Sequence, residues 1–100
     1  MPVYVLMTRL APEGLHDAGG RRSMGKEWLH KVKAACPEVK WIAHYALLGQ
    51  YDFMDIYEAP DLETAHKVSL ISRAGGALTA ESWPALPYDR FLKLMEEVKS

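Results

Sequence analysis

The stretch "YALLGQYDFMDIYEAPD", residues 45–61, decides the fold of this chain. Two apolar runs flank Gly49-Gln50, and a two-residue loop with glycine first is typical of a type II′ β-hairpin turn. We therefore predict two antiparallel strands, at residues 39–48 and 52–59. The second of these strands is unusual because it carries three carboxylates among large apolar side chains. They belong to Asp52, Asp55 and Glu58.

The rest of the chain supplies the elements that surround this hairpin. Periodicity and breakers predict a strand at residues 3–8 and another at residues 78–83, which Pro84 stops. They also predict three helices: one capped by Ser23 and ended by Pro37, one capped by Asp61 and ended by Gly75-Gly76, and one that begins at Pro87. The order is β-α-β-β-α-β plus a C-terminal helix. It predicts an α+β, ferredoxin-like fold, a four-stranded antiparallel sheet with both helices on one face.

Length and composition restrict the class of protein. One hundred residues make one domain, residues 1–100, with 49% hydrophobic and 25% charged residues. A net charge of -1 gives no basic field for nucleic acid or a membrane surface. The single cysteine, Cys36, suits a reducing compartment, and we expect it to be buried and inert. Without a signal-peptide pattern or a long apolar run, we expect a cytoplasmic protein.

Alternation along the strands divides their side chains between two faces of the sheet. We predict that the purely apolar sets lie under the helices: Val3, Val5, Met7, Met54, Ile56, Leu78 and Ala80. The mixed aromatic and polar sets would then form the open face: Tyr4, Leu6, Thr8, Phe53, Asp55, Tyr57, Thr79, Glu81 and Trp83. The phase of the second strand stays open, because a bulge could exchange its two sets. An open face with this much apolar area predicts a homodimer that pairs face to face.

The hairpin also resembles the signature of the GYD domain family, small bacterial and archaeal proteins named for glycine, tyrosine and aspartate. These residues are Gly49, Tyr51 and Asp52, followed by "EAPD" at residues 58–61, and "YVLMTRLAPEG" is similar to the family's first strand and turn. The resemblance implies a ferredoxin-like fold of the dimeric α/β-barrel superfamily. It also implies a more continuous first helix at residues 17–25. It implies no established activity and no catalytic residues.

The wider superfamily offers two kinds of function, both analogies from fold. Its cofactor-free monooxygenases and lactone isomerases use a cleft beside the sheet, and its amino-acid-sensing domains bind ligands at subunit contacts. We predict a homo-oligomeric small-molecule-binding or regulatory module, with a cofactor-independent enzyme of the monooxygenase or isomerase type as the alternative. The expected partners are a second copy and a small organic ligand, without a cofactor. The candidate ligand-binding residues are Tyr4, His44, Tyr51, Asp55, Tyr57, Glu81 and Trp83.

His44 and Asp55 are the best candidates for catalysis. The ordinary pKa of histidine, about 6.5, suits proton transfer, and neighbouring strands could bring the two side chains together. A hydrogen-bonded structural histidine is the competing interpretation. The other histidines, His16, His30 and His66, have no metal-ligand spacing, so we expect no metal site.

Two further hypotheses concern polar segments. In "AGGRRS", residues 18–23, Arg21 and Arg22 could bind an anion, although a solvated loop explains the same residues. The three hairpin carboxylates should have different roles. Asp52 should bond backbone or hydroxyl groups near the turn, and Glu58 should reach solvent or a basic group at the strand end. Asp55 should lie on the open face with a partner such as His44, Tyr4 or Thr79.

Overall fold

The fold follows the predicted order of strands and helices. A computed structural model describes residues 1–12 and 17–99. Its elements are β1 (Val3–Leu10), α1 (Ala18–Ala35), β2 (Lys40–Ala46), β3 (Phe53–Glu58), α2 (Leu62–Ala74), β4 (Ala77–Ala85) and α3 (Tyr88–Lys99). The strands form one antiparallel sheet in the order β2-β3-β1-β4. The α+β, ferredoxin-like prediction is confirmed.

The first helix begins earlier than the sequence predicted. Asp17 is the N-cap of α1, because its carboxylate accepts a hydrogen bond from the backbone N–H of Gly20 at 2.7 Å. Ser23 lies inside the helix, so its prediction as the N-cap is wrong. The continuous helix through residues 18–25 agrees with the family expectation. His16 and part of the predicted turn before the helix lie outside the described residues.

The hairpin turn is longer than predicted. The backbone N–H of Leu47 donates to the carbonyl of Asp52 at 2.8 Å, so four residues, 48–51, form the loop. Gly49 does not adopt a positive φ, which a type II′ turn would require at that position. The predicted two-residue turn is therefore wrong. The left-handed glycine is instead Gly76, with φ 108°, after the end of α2.

The predicted faces of β1 and β3 are reversed. Tyr4, Leu6 and Tyr57 are buried in the core, which they share with Val32 of α1, its C-cap Cys36, and Ala65 and Val68 of α2. The Tyr57 hydroxyl is hydrogen-bonded to Ser82 at 2.6 Å, and Ser82 to Ser69 at 2.8 Å. A tyrosine can be buried when its hydroxyl has a partner, and its ring contributes more apolar area than valine. The helices therefore cover the aromatic sets of β1 and β3, whereas Trp83 of β4 stays on the open face.

Two other strands complete the face beneath α1 and α2. In β4, Ala80 lies in the core as predicted, whereas Leu78 is largely exposed. In β2, the register shifts between Trp41 and Ala43, which is the bulge that the sequence left open. Because of this shift, the edge strand turns both Trp41 and His44 toward the helices.

The last helix stands apart from the core. α3 has no buried residue, and apolar side chains at three- and four-residue steps remain exposed along it: Tyr88, Phe91, Leu92, Met95 and Val98. Across residues 1–12 and 17–99, no helix is long and apolar enough to cross a membrane.

Candidate functional site

A cleft of about 910 Å³ lies between α1 and the sheet. The helix contributes Arg21, Arg22, Lys26 and Trp28 to its lining, and the sheet contributes Thr8, Trp41, His44, Phe53 and Asp55. Ser72 of α2 closes one side. Proteins bind most small ligands in concavities of about 300–1,000 Å³, so the cleft is large enough for an organic molecule.

The sequence of α1 explains why this space is not filled. Val32, near the C-terminal end of the helix, is its buried residue, whereas the first half carries glycine and basic residues. The helix is held to α2 by the indole N–H of Trp28, which donates to the Ser72 hydroxyl at 2.8 Å. The Trp28 ring also packs on Trp41, with centroids 5.1 Å apart. The N-terminal half of α1 therefore forms a wall of the cleft.

His44 and Asp55 meet in this cleft. Nδ1 of His44 contacts Oδ1 of Asp55, across the β2–β3 register in which the two residues are opposite each other. Asp55 is 4% exposed, whereas the His44 side chain is 64% exposed. The predicted contact between these residues is confirmed. The predicted location is wrong, because Asp55 faces the helices and not the open face of the sheet.

Burial controls the chemistry of this pair. It raises the pKa of Asp55, and the nearby imidazole of His44 acts in the opposite direction. The carboxylate can hold the imidazole in one orientation. The exposed imidazole can then donate or accept a proton at a bound molecule. Its role in catalysis or binding stays a prediction.

Aromatic and cationic side chains surround the pair. The His44 ring stacks on Phe53 at 5.6 Å, and the Arg21 guanidinium lies 5.5 Å from the centre of the same ring. Arg21 and Arg22 belong to α1, so the solvated-loop interpretation of their segment is wrong. Both line the cleft, and their role in anion binding stays a prediction.

Tyr4 and Tyr57, which we predicted to bind the ligand, are core residues. Their rings stack at 5.5 Å, and neither lines the cleft. Burial raises the pKa of Tyr57 to about 12, so its hydroxyl stays protonated at physiological pH. Nearby, Cys36 is buried as predicted, and burial raises the pKa of its thiol.

The remaining predicted ligand-binding residues form a separate cluster on the open face. The Glu81 carboxylate accepts hydrogen bonds from the Tyr51 hydroxyl at 3.2 Å and from the Trp83 indole N–H at 2.8 Å. The two rings meet edge to face at 5.8 Å. Desolvation and the Glu81 carboxylate raise the pKa of Tyr51. The sequence thus grouped residues that the sheet separates onto its two faces.

The other hairpin carboxylates have structural positions. Asp52 accepts a hydrogen bond from the backbone N–H of Leu10 at 2.7 Å, which joins the loop to the end of β1. This confirms the prediction of backbone bonding, with a neighbouring strand as the donor. Glu58 lies at the end of β3 opposite Lys40, and it is half-buried.

Several lining residues were missed by sequence reasoning. Lys26, Lys33 and Trp41 line the cleft, but the sequence did not single them out as candidate binding residues. A signal was present, because Arg22, Lys26 and Lys33 recur at spacings typical of one helix face. Elsewhere, the described part of the chain contains no group of three His, Cys, Asp or Glu side chains that could hold a metal ion.

Comparison with known proteins identifies the family. The model of the GYD domain family matches residues 4–95. The chain belongs to the GYD domain family. The match includes both His44 and Asp55, and all of the sheet except Val3.

Individual GYD relatives and structural neighbours are distant. One relative, from Thermus thermophilus, is named glutamine synthetase and cystathionine beta-lyase binding protein. It is 26% identical over 87 residues, which cover 87% of this chain and 90% of the relative. The crystal structure of FFRP-DM1 is similar with a TM-score of 0.55 and 22% identity, over 86% of this chain and all of the other. The hypothetical protein PHS023 from Pyrococcus horikoshii is similar with a TM-score of 0.53 and 21% identity, over 87% of this chain and 92% of the other. At these identities the two structures support the fold alone.

Proposed function

We propose that this GYD protein is a homo-oligomeric small-molecule-binding or regulatory module that holds its ligand in the cleft between α1 and the sheet. The observation that carries the proposal is the His44–Asp55 pair, a buried carboxylate and an exposed imidazole in a cleft of about 910 Å³. Binding sites typically combine mostly apolar walls with a few placed polar groups. The aromatic side chains of the cleft, Trp28, Trp41 and Phe53, supply such walls.

A thermal-shift screen of small organic molecules tests this proposal. A ligand at one hundred times its Kd stabilises a protein by about 2.7 kcal/mol, which is readily measured. We expect a hit whose saturable binding, measured by calorimetry, is lost in His44→Ala and retained in His66→Ala. His66 is an exposed histidine on α2 and serves as the matched control. A hit that binds both variants equally would contradict the cleft as its site.

A regulatory role is supported by the name of the Thermus relative, which is that of a protein that binds two enzymes. For this chain we propose the corresponding behaviour, in which ligand occupancy of the cleft changes how the module contacts a protein partner. The identity of such a partner is not carried over at 26% identity. A pull-down with and without the ligand from the screen measures this effect, and an unchanged set of captured proteins argues against regulation.

A cofactor-independent enzyme is the second candidate, and the same pair favours it. An aspartate that orients a histidine is a recurrent arrangement for general-base catalysis. The test is turnover of a quinol or a lactone by the purified protein. Turnover that disappears in folded His44→Ala would establish the enzyme. Saturable binding without turnover supports the module.

The homo-oligomeric part of the proposal rests on the open face of the sheet. Because the tyrosines turn inward, this face carries Val3, Val5, Met7, Met54 and Ile56. With strands about 4.8 Å apart, it offers roughly 400 Å² per copy, or about 800 Å² for a pair. Specific interfaces generally exceed about 1,000 Å² in total, so the sheet alone is too small.

The exposed apolar stripe of α3 supplies the missing area. Its 12 residues make a helix about 18 Å long, and a stripe about 10 Å wide adds roughly 180 Å² per copy. The sheet and the stripe together reach about 1,160 Å² for a pair, above the usual threshold. A second copy is therefore the proposed occupant of both surfaces.

A further inference from the structure

The charges of α1 are distributed unevenly around the cleft. Four basic side chains line it, Arg21, Arg22, Lys26 and Lys33, against one carboxylate, that of Asp55. The whole chain has 12 basic and 13 acidic residues, so this region is positive in a protein that is otherwise slightly acidic. Walls of low dielectric concentrate such a field and attract molecules of opposite charge.

Protein carboxylates do not neutralise Arg22 and Lys26 at the rim of the cleft. Among the described residues, an ion pair joins Lys31 to Glu27, and the Asp55 carboxyl contacts His44. Glu27 is the acidic residue within α1, and its partner Lys31 does not line the cleft. Arg22 and Lys26 therefore have no ion-pair partner in the described part of the chain, and both are exposed at the rim.

The floor of the cleft has a different character. Trp28, Trp41 and Phe53 present aromatic surface there, with Trp28 and Trp41 packed at 5.1 Å. Aromatic rings bind flat apolar groups well, and they also attract cations such as the Arg21 guanidinium above Phe53. The cleft thus joins an apolar floor to a cationic rim, which matches a molecule with an apolar body and one anionic end.

We propose that the cleft binds a small organic acid, with its anionic group held by Arg22 and Lys26 and its apolar or aromatic body against Trp28 and Phe53. Two cations at adjacent helical turns can contact one carboxylate or sulfonate together. This inference rests on the proposed function, because it takes the cleft as the ligand site. It adds the chemical class of the ligand.

Two dyes that share an apolar aromatic body test the inference. 8-Anilinonaphthalene-1-sulfonate carries a sulfonate, and N-phenyl-1-naphthylamine has the same rings without it. Fluorescence titration of the purified full chain gives Kd for each dye. We expect the sulfonate to bind about tenfold more tightly, because charge-assisted hydrogen bonds are the stronger kind. Its affinity should also fall as salt is raised from about 50 to about 500 mM, because salt screens exposed charges.

Three variants localise the effect. In Arg22→Gln/Lys26→Gln we expect about tenfold weaker sulfonate binding and unchanged neutral-dye binding, because only charge has been removed. Lys67→Gln/Arg73→Gln removes the same charge from exposed positions of α2 and should change neither affinity. Phe53→Ala should weaken the binding of both dyes, because it removes aromatic surface from the floor of the cleft.

The outcomes separate the two proposals. If the binding of both dyes depends on Phe53 but Arg22→Gln/Lys26→Gln, the rim variant, leaves the sulfonate affinity unchanged, the organic-acid inference is overturned. The cleft then remains a binding site. If neither dye depends on Phe53, the cleft itself fails as the ligand site. Loss of sulfonate binding in the α2 control to the same extent as in the rim variant would also overturn the inference, because only net charge would then matter.

Discussion

The hydrogen bond between Trp28 and Ser72 fixes the wall of the cleft, and its removal has a calculable cost. The indole N–H donates to the Ser72 hydroxyl at 2.8 Å, and that hydroxyl donates to the carbonyl of Val68 at 3.0 Å. Ser72 is 5% exposed. A net contribution of about 0.5–1.5 kcal/mol is usual for such a bond. Trp28→Phe removes it while it keeps an aromatic ring against Trp41.

The loss of stability can be worked out for Trp28→Phe and for Ser72→Ala. Trp28→Phe also loses roughly 40 Å² of apolar surface, about 1 kcal/mol at 25 cal/mol per Å². The variant should therefore be about 1.5–2.5 kcal/mol less stable. Ser72→Ala leaves the part-buried indole N–H of Trp28 without this partner, which costs about 1–3 kcal/mol. In the double variant the bond is already absent, so the two losses should fall short of additivity by about 1 kcal/mol.

Thermal and urea unfolding followed by circular dichroism, at one fixed protein concentration, measure this cycle. For a domain of this size, 1 kcal/mol corresponds to a change in Tm of about 4–8 °C. Losses that add within about 0.3 kcal/mol would refute the reasoning, since residues that do not interact behave in this way. The two helices would then be held together by packing alone.

Three further predictions concern a cap, the buried carboxylate and the open face. Thr64 donors lower the pKa of Asp61, so this cap stabilises above the unfolded pKa and its effect fades as pH falls through the folded pKa. Asp61→Ala should lower Tm by about 5 °C at pH 7, and by progressively less as the pH falls through the folded pKa of Asp61. Burial raises the pKa of Asp55, so its contribution to stability declines as pH rises through the folded pKa. Asp55→Asn should remove that decline. In thermal melts from about pH 4 to 8, the variant should be at least as stable as the wild type at pH 7, and it should no longer bind the ligand. Ile56→Lys should reduce the assembly to monomers in light scattering, and a wild type already monomeric at micromolar concentration would contradict the proposed interface.

The order of elements could be predicted from the sequence because local signals specify it. Pro60 followed by Asp61 separates β3 from α2, and the Asp61 carboxylate accepts a hydrogen bond from the Thr64 N–H at 2.8 Å. Such signals act within a few residues, so they do not depend on how the sheet packs. The start of α1 was misplaced for a local reason as well, because Asp17 offered a cap before the glycines.

Which face of the sheet is buried could not be predicted from alternation. Periodicity places Tyr4 and Leu6 on one face and Val5 on the other, but it does not say which face the helices cover. Tyr57 can be buried only because Ser82, which is 25 residues away along the chain, meets its hydroxyl. A hydrogen-bonding partner so distant in sequence is a tertiary fact, and it allowed the tyrosines of β1 and β3 to form part of the core.

The sequence by itself thus determined the order of strands and helices and the family, and it offered His44 as one of three candidate partners of Asp55. Only the tertiary structure decided that this pair lies under α1, with the cations of that helix above it. The β2 bulge turns His44 toward the helices, and the Trp28–Ser72 bond holds α1 to α2. The site depends on a register shift and on the position of one helix, and both result from contacts between residues far apart in the sequence.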